Sequence, residues 1–167
     1  MNENGFTIAK AATRDVADIH ALIRALADYE KLDAACISTA ADLDEALFGP
    51  HPAAEALIAR KIGNSQSAAG FALFFHTFST FLGRRSLWLE DLFVQPEHRG
   101  AGIGRALLTE LARIARDRQC GRFEWAVLDW NKSAIRFYEA LGAVVLPDWR
   151  IARVTGPALE RLAAADV

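Results

Sequence analysis

The sequence predicts an α/β protein, with a mixed (α+β-like) sheet that carries helices on its faces. Segments of strand-like pattern alternate along the chain with segments of helical period, as in layered α/β folds. The 167 residues, 52% of them apolar, are enough for one domain with a sizeable core. Short loops join the segments, so we expect a single domain over residues 1–167.

The predicted elements follow the order β-α-α-β-β-β-α-β-α-β-β-α. The predicted strands cover residues 6–11, 54–60, 68–78, 87–94, 122–128, 144–145 and 151–154. The predicted helices cover residues 16–30, 42–48, 103–117, 131–141 and a segment from residue 157 onward. Apolar spacing within each segment and the capping or breaking residues at its ends predict these bounds.

Capping residues justify the helices in chain order. Thr13 or Asp15 is a candidate N-cap of the first helix, and Thr39 opens the second. The third helix follows a glycine-rich loop directly and carries a regular apolar stripe. Asn131 caps the fourth helix, and Pro157 starts the last one.

The composition excludes several classes of protein. The 19 Lys and Arg residues nearly balance 21 Asp and Glu, so nothing indicates a nucleic-acid-binding surface. No apolar run reaches the roughly 18 residues of a membrane span, and residues 1–5 do not resemble a signal peptide. The two Cys and four His residues are scattered, so we expect no metal and a reducing, cytoplasmic location.

The most informative stretch joins a strand to the third helix. The strand carries two adjacent acids, Glu90 and Asp91, and leads through a proline turn into the loop Arg99-Gly100-Ala101-Gly102-Ile103-Gly104-Arg105. Glycines allow close backbone approach to an anion, and the following helix supplies free amides and the positive end of its dipole. We predict that a phosphate or pyrophosphate binds here; a glycine-rich turn without a ligand is the alternative.

Two common phosphate loops do not fit this stretch. A Walker loop requires Gly-Lys-Ser/Thr, where this chain has Gly104-Arg105-Ala106. A dinucleotide fingerprint requires G-x-G-x-x-G/A, and its last position falls on Arg105 or Leu107. The pattern that does fit is Arg-x-x-Gly-x-Gly. It resembles the pyrophosphate-binding loop of the GNAT superfamily of N-acetyltransferases, which bind acetyl-coenzyme A.

A second resemblance lies downstream of this loop. The run Asn131-x-x-Ala-x-x-Phe-Tyr-x-x-x-Gly is typical of GNAT enzymes. The strings at 26–30, 48–52, 89–94, 129–131 and 148–150 are similar to the diamine (spermidine/spermine) N-acetyltransferase branch. The resemblance covers most of the chain and implies a GNAT-like fold, acetyl-CoA as co-substrate and a homodimer. Members of that branch acetylate polyamines, thialysine or other small amines.

Acetyl transfer requires the amine, whose pKa is about 10 when free, to lose a proton. The resemblance implies that Glu90 assists this step through water and that Tyr138 donates a proton to the departing thiolate; Tyr138 as a core aromatic is the alternative. Asp91, next to Glu90, should point to the opposite face of a regular strand. Hydrogen bonding to backbone or to an Arg is its expected role.

The resemblance also implies two binding sites. The coenzyme site comprises Leu92, Phe93 and Val94 along the strand edge, Arg99, Gly100, Ala101, Gly102, Ile103, Gly104 and Arg105 in the loop, Asn131 and Tyr138. The amine site comprises Tyr29, Glu30, Glu90 and Asp148. A solvated surface position is the alternative for Tyr29, Glu30 and Asp148, and a purely capping role is the alternative for Asn131.

Together these features predict an acetyl-CoA-dependent N-acetyltransferase of small cationic amines. No Cys–His pair indicates a covalent acyl-enzyme, so we expect direct transfer in a ternary complex. One alternative is a GNAT enzyme with another acceptor, such as an aminoglycoside, an amino acid or a protein N-terminus. Another is a non-catalytic acyl-CoA-binding regulatory module, although such a module would need neither Glu90 nor Tyr138.

Overall fold

A computed structural model describes residues 5–165, with the backbone alone at residues 64–67. Within this range the chain forms one five-stranded sheet of order β1-β2-β3-β4-β5. The strands are β1 (Phe6–Lys10), β2 (Glu55–Lys61), β3 (Asn64–Ser79), β4 (Arg84–Val94) and β5 (Phe123–Trp125). The first four pair antiparallel with their neighbours and β5 lies parallel to β4, which confirms the predicted mixed sheet.

The described chain also contains five α-helices. They are α1 (Val16–Glu30), α2 (Ala40–Phe48), α3 (Ile103–Asp117), α4 (Lys132–Glu139) and α5 (Pro157–Ala163). The predicted bounds of α1 and α3 are confirmed to the residue. Asp15 is the N-cap residue of α1, and Thr39 caps α2 by accepting the amide of Asp42 at 3.2 Å.

Both faces of the sheet are buried. On one face Ile58, Phe71 and Phe93 pack with apolar residues of α1 and α2. The neighbouring Leu57 in β2, which alternation turns to the other face, is also buried, and α3 contacts β3 and β4. The predicted helix layers on both faces are thus confirmed.

The chain divides after Ala126 into two compact units. The first contains the five strands and α1 to α3, and the second contains α4 and α5.

Two predicted strands are wrong. Residues 144–145 and 151–154 form neither helix nor strand. Their side chains are largely exposed, with Val144 at 79% and Ile151 at 71%. A strand is stable only when a partner satisfies its backbone groups, and within the described residues these segments pair with none. Residues 126–128, predicted to continue β5, are likewise outside it.

Candidate active site

The glycine-rich loop has the geometry of an anion site. Gly100 and Gly102 both have φ of +82°, a conformation that only glycine adopts without strain. Gly102 is the N-cap of α3 and provides no side-chain cap. At the start of the loop the N–H of Arg99 donates to the carbonyl of Pro96 at 3.2 Å. In the first turn of α3 the N–H of Ala106 donates to the carbonyl of Gly102 at 3.0 Å. The amides of Ile103 to Arg105, in the first turn, have no carbonyl within the helix to bond.

Among the described residues no strand pairs with one side of β4 beyond Leu89, and this side is its open edge. Pairing with β5 ends at Leu89, opposite Trp125. The backbone N–H of Gln95 donates to the carbonyl of Ala69 in β3 at 2.9 Å. Because backbone groups alternate in direction along a strand, those of Val94 and Leu92 point away from β3. Two of the three predicted edge residues therefore present N–H and C=O groups to the open edge. By the same alternation the backbone groups of Phe93 face β3.

A β-bulge interrupts β4 at the acidic pair. Asp91 lies opposite Leu73 and Leu89 lies opposite Phe74, which leaves Glu90 as an extra residue between them. Such a bulge shifts the alternation of side chains by one position.

The bulge places both acids on one face of the sheet. Leu73 packs on the α1–α2 side, so Asp91 opposite it lies there too. Trp88 lies opposite Phe75, two residues from Leu73 and on the same face, and its Nε1 donates to Glu90 Oε2 at 2.9 Å. The expectation that Asp91 points to the opposite face from Glu90 is wrong, because the strand is not regular at this point.

Asp91 is within electrostatic range of two other acids, Glu90 and Glu30. Burial, together with the negative charges of Glu90 and Glu30, raises the pKa of Asp91 to about 6. Burial also raises the pKa of Glu30, at the last position of α1. Glu30 belongs to the helix terminus whose dipole favours cations. This acidic group, comprising Glu30, Glu90 and Asp91, would attract a positively charged ligand.

Arg99 connects the loop to the end of α1. Its guanidinium carbon lies 4.7 Å from the ring centroid of Tyr29 and 5.7 Å from that of Phe93. Its Nε donates to the carbonyl of Val94 at 3.1 Å. Tyr29 is 37% exposed, so this stacking lies at the surface of the first unit.

The remaining predicted site residues belong to the second unit. Asn131 is the N-cap of α4, and its Oδ1 accepts the amide of Ala134 at 3.1 Å and the hydroxyl of Ser133 at 3.0 Å. Tyr138, half-buried in α4, packs beside Phe137 with ring centroids 5.4 Å apart. Asp148 is exposed. The predicted capping role of Asn131 is confirmed, and the ligand-binding roles of these residues stay predictions.

Comparison with known proteins identifies the family. Residues 20–143 match the model of the acetyltransferase (GNAT) family. The chain belongs to the GNAT acetyltransferase family. The match begins inside α1 and spans the acidic pair, the loop and α4.

Individual relatives agree with this assignment. The chain is 39% identical to thialysine N-epsilon-acetyltransferase of Sus scrofa over 169 residues, covering 93% of this chain and 96% of the porcine protein. It is 35% identical to the human spermidine/spermine N(1)-acetyltransferase-like protein 1 over 84% of this chain and 21% of that protein. An integron cassette protein from the mobile metagenome of V. cholerae superimposes with a TM-score of 0.80 at 27% identity, covering 96% of this chain and 99% of that one. The relatives are consistent with the diamine N-acetyltransferase branch.

The GNAT family uses acetyl-CoA as co-substrate, and the residues present fit that molecule. The uncapped N-terminus of α3 has no acidic residue in its first turn, which suits a pyrophosphate. The open edge at Leu92 and Val94 suits an amide-containing arm, because its peptide-like groups can pair with a strand.

Within residues 5–165 no group of three or more His, Cys, Asp or Glu is arranged to hold a metal ion. No helix in that range has the length and apolarity needed to cross a membrane.

Two residues next to Glu90 are not among the site residues predicted from the sequence. The sequence predicts only structural hydrogen bonding for Asp91, and it gives no role to Trp88, which donates a hydrogen bond to Glu90. The adjacency of two acids was a usable signal for Asp91, but its interpretation required knowledge of the bulge.

Proposed function

We propose that this GNAT enzyme transfers the acetyl group of acetyl-CoA to a primary amine of a small cationic acceptor, either a polyamine or diamine or a thialysine-like compound. Transfer is direct, within a ternary complex. The observation that carries the proposal is the bulge in β4, which directs Glu90 and Asp91 to one face near Glu30. The names of the relatives, which act on thialysine or resemble spermidine/spermine acetyltransferases, support the same acceptor class.

The two acids of the bulge have different roles in removing the proton from the amine. A general base is most effective when its pKa is near the working pH, and Asp91 meets this condition with a pKa of about 6. Glu90 is exposed and oriented by Trp88, which suits relay of the proton through water. Glu30 and Tyr29 form the wall that holds the second cationic group of the acceptor.

The coenzyme is held by the loop and the open strand edge. Amides of residues 100–105 bind the pyrophosphate, with the charge of Arg105 nearby. The backbone groups of Leu92 and the N–H of Val94 pair with the pantetheine arm, since the Val94 carbonyl already accepts from Arg99. When bound, acetyl-CoA supplies the thioester from which the acetyl group is taken. Phe93 contributes through its buried ring, over which the Arg99 guanidinium lies.

The family resemblance supports three further roles for residues of the second unit. In this proposal Tyr138 is the proton donor to the departing thiolate, Asn131 is a ligand of the pantetheine arm and Asp148 is a ligand of the cationic acceptor. The family match runs across the boundary at Ala126, which supports one acetyltransferase domain over residues 1–167.

We further propose that the enzyme is a homodimer. Val144, Trp149 and Ile151 are 79, 77 and 71% exposed, in segments whose composition favours strands. A second copy would cover these side chains and supply strand partners. A reducing cytoplasm suits the two free cysteines, Cys36 and Cys120.

A panel of amines tests the function. Turnover of acetyl-CoA is measured with a polyamine, a diamine, thialysine, an aminoglycoside and a peptide with a free N-terminus. We expect the highest kcat/KM with one of the first three. A best substrate among the last two would replace the acceptor class, and no turnover with any amine would support the acyl-CoA-binding module instead.

A further inference from the structure

Arg99 is the first residue of the coenzyme loop, yet its side chain extends to the acceptor side. Its amide donates to Pro96 at 3.2 Å and fixes the start of the loop. Its guanidinium lies over two aromatic rings, those of Tyr29 and Phe93. A side chain stacked in this way holds its own backbone in place, so the loop is anchored to the end of α1.

We propose that Arg99 is a positioning residue that couples coenzyme binding to amine binding, by holding the coenzyme loop against the Tyr29 wall of the acceptor site. This inference rests on the proposed function. A guanidinium over an aromatic face is a stabilising contact even at partly exposed sites. The hydrogen bond from Nε to Val94 at 3.1 Å adds a third attachment, at the strand edge where the coenzyme arm would pair.

The coupling follows from the two ends of this contact. Tyr29 immediately precedes Glu30, whose charge reaches Asp91, and Arg99 immediately precedes Gly100, where the loop turns through a positive φ. Ordering the loop on a pyrophosphate therefore also orders the ring that borders the acidic group. Because coupling between two binding sites is reciprocal, each ligand should bind more tightly when the other is present.

A double-mutant cycle on coenzyme affinity tests the inference. Calorimetry measures the Kd of coenzyme A, without amine, for the parent protein, Tyr29→Leu, Arg99→Gln and the double variant. We expect Tyr29→Leu to weaken coenzyme A by about two- to tenfold, the range of a lost cation–π contact. The double variant should bind no more weakly than Arg99→Gln, within twofold. Tyr29→Phe is the matched comparison, because it keeps the ring, and it should bind coenzyme A more tightly than Tyr29→Leu does.

The KM for the amine provides a second readout. If Arg99 acted only through its charge, Arg99→Gln would lower the KM of a cationic amine, since it removes a like charge from an acidic region. Positioning predicts the opposite, a higher KM for the amine. Arg99→Lys, which keeps the cation but loses the planar group, should recover coenzyme affinity only in part.

The outcomes separate this inference from the proposed function. Suppose that the parent binds coenzyme A. If the fold-changes in Kd of the two single variants multiply in the double variant, or if Tyr29→Leu leaves the Kd unchanged, then Arg99 is a simple phosphate ligand and the proposed coupling is wrong. If the parent does not bind coenzyme A, the proposed function fails and this inference fails with it.

Discussion

At the scale of single residues, the proposed chemistry depends on the acidic pair of β4. Glu90 and Asp91 would face opposite sides of a regular strand, and one insertion in the register brings them to the same side. Burial, and after it the negative charges of Glu90 and Glu30, then raise the pKa of Asp91 to about 6. An acid poised near neutral pH can accept a proton from an ammonium group more readily than an ordinary aspartate.

Asp91→Asn should remove the acidic limb of the kcat/KM profile. In the parent enzyme, activity should rise as Asp91 loses its proton near pH 6. The variant should be slower throughout and lack this limb. Asp117→Asn, at an exposed position on α3, controls for the change in net charge. An unchanged limb in Asp91→Asn would exclude Asp91 as the titrating group.

The same substitution should stabilise the fold at neutral pH. The pKa of Asp91 is higher in the folded state, about 6, than its ordinary value of 3.8. The folded state therefore binds more protons between those values, and stability falls as pH rises from about 4 through about 6. Denaturant titrations at pH 4 and 7.5 should show Asp91→Asn gaining roughly 1–3 kcal/mol over the parent at the higher pH alone.

Tyr138→Phe should separate catalysis from packing. The ring beside Phe137 remains, and the hydroxyl alone is removed. Loss of a general acid lowers kcat by about 10²–10⁴-fold, whereas the Kd of coenzyme A should stay near that of the parent. A kcat within twofold of the parent would assign Tyr138 to packing.

At the scale of elements, the junction between β4 and α3 is the part of the site that could be predicted best from sequence. Its signals are local, because the glycines at 100, 102 and 104, the apolar stripe and the preceding strand all lie within one stretch of chain. The bulge at Glu90 could not be predicted, since it depends on register against β3, and no residue near it has a diagnostic backbone preference.

The late strands fail for a related reason. Val144 and Ile151 have suitable side chains, but the choice between strand and coil depends on whether an edge is available to pair. Likewise, the stacking of Arg99 on Tyr29 joins residues 70 positions apart in sequence, and a motif cannot report such a contact.

Gly104→Val should weaken the binding of coenzyme A by at least about tenfold while α3 remains folded. A branched side chain in the first turn would block the approach of a pyrophosphate to the loop amides. Ala112→Val, at an exposed position of the same helix, places an equal side chain far from the loop and should leave the Kd unchanged. Equal Kd values for both variants by calorimetry would remove the pyrophosphate from this loop.

An ion pair connects the end of α3 to β2. Arg118 donates through two nitrogens to Glu55, and Lys10 lies 3.1 Å from the same carboxylate. These partners lower the pKa of Glu55 to about 2. The contribution of ionised Glu55 to the free energy of unfolding should be complete above about pH 4.5 and lost as pH falls through about 2.

Glu55→Gln should therefore lower the free energy of unfolding at pH 7 by about 1–2 kcal/mol. The difference from the parent should shrink as pH falls from 4.5 toward 2. Glu110→Gln, which removes an exposed pair with Arg113, is the control and should cost under about 0.5 kcal/mol. A constant difference across this pH range would mean that Glu55 acts through packing alone.

At the scale of the whole molecule, positive and negative charges nearly cancel, and negative charge is concentrated locally. The formal net charge is only −2, so no general field attracts a cation. The acidic group of Glu30, Glu90 and Asp91 supplies a local field instead, and such a field is screened by salt over about 10 Å at 0.1 M. Selection for a cationic acceptor should accordingly depend on this group and on ionic strength.

The most direct test compares two acceptors of equal length. Steady-state kcat/KM is measured with 1,5-diaminopentane and with 5-amino-1-pentanol, in which one ammonium group is replaced by a hydroxyl. We predict at least about a tenfold preference for the diamine at low salt, equal to about 1.4 kcal/mol, which declines as salt is added. Equal efficiency with both acceptors, or a preference that salt does not change, would contradict an acidic acceptor site.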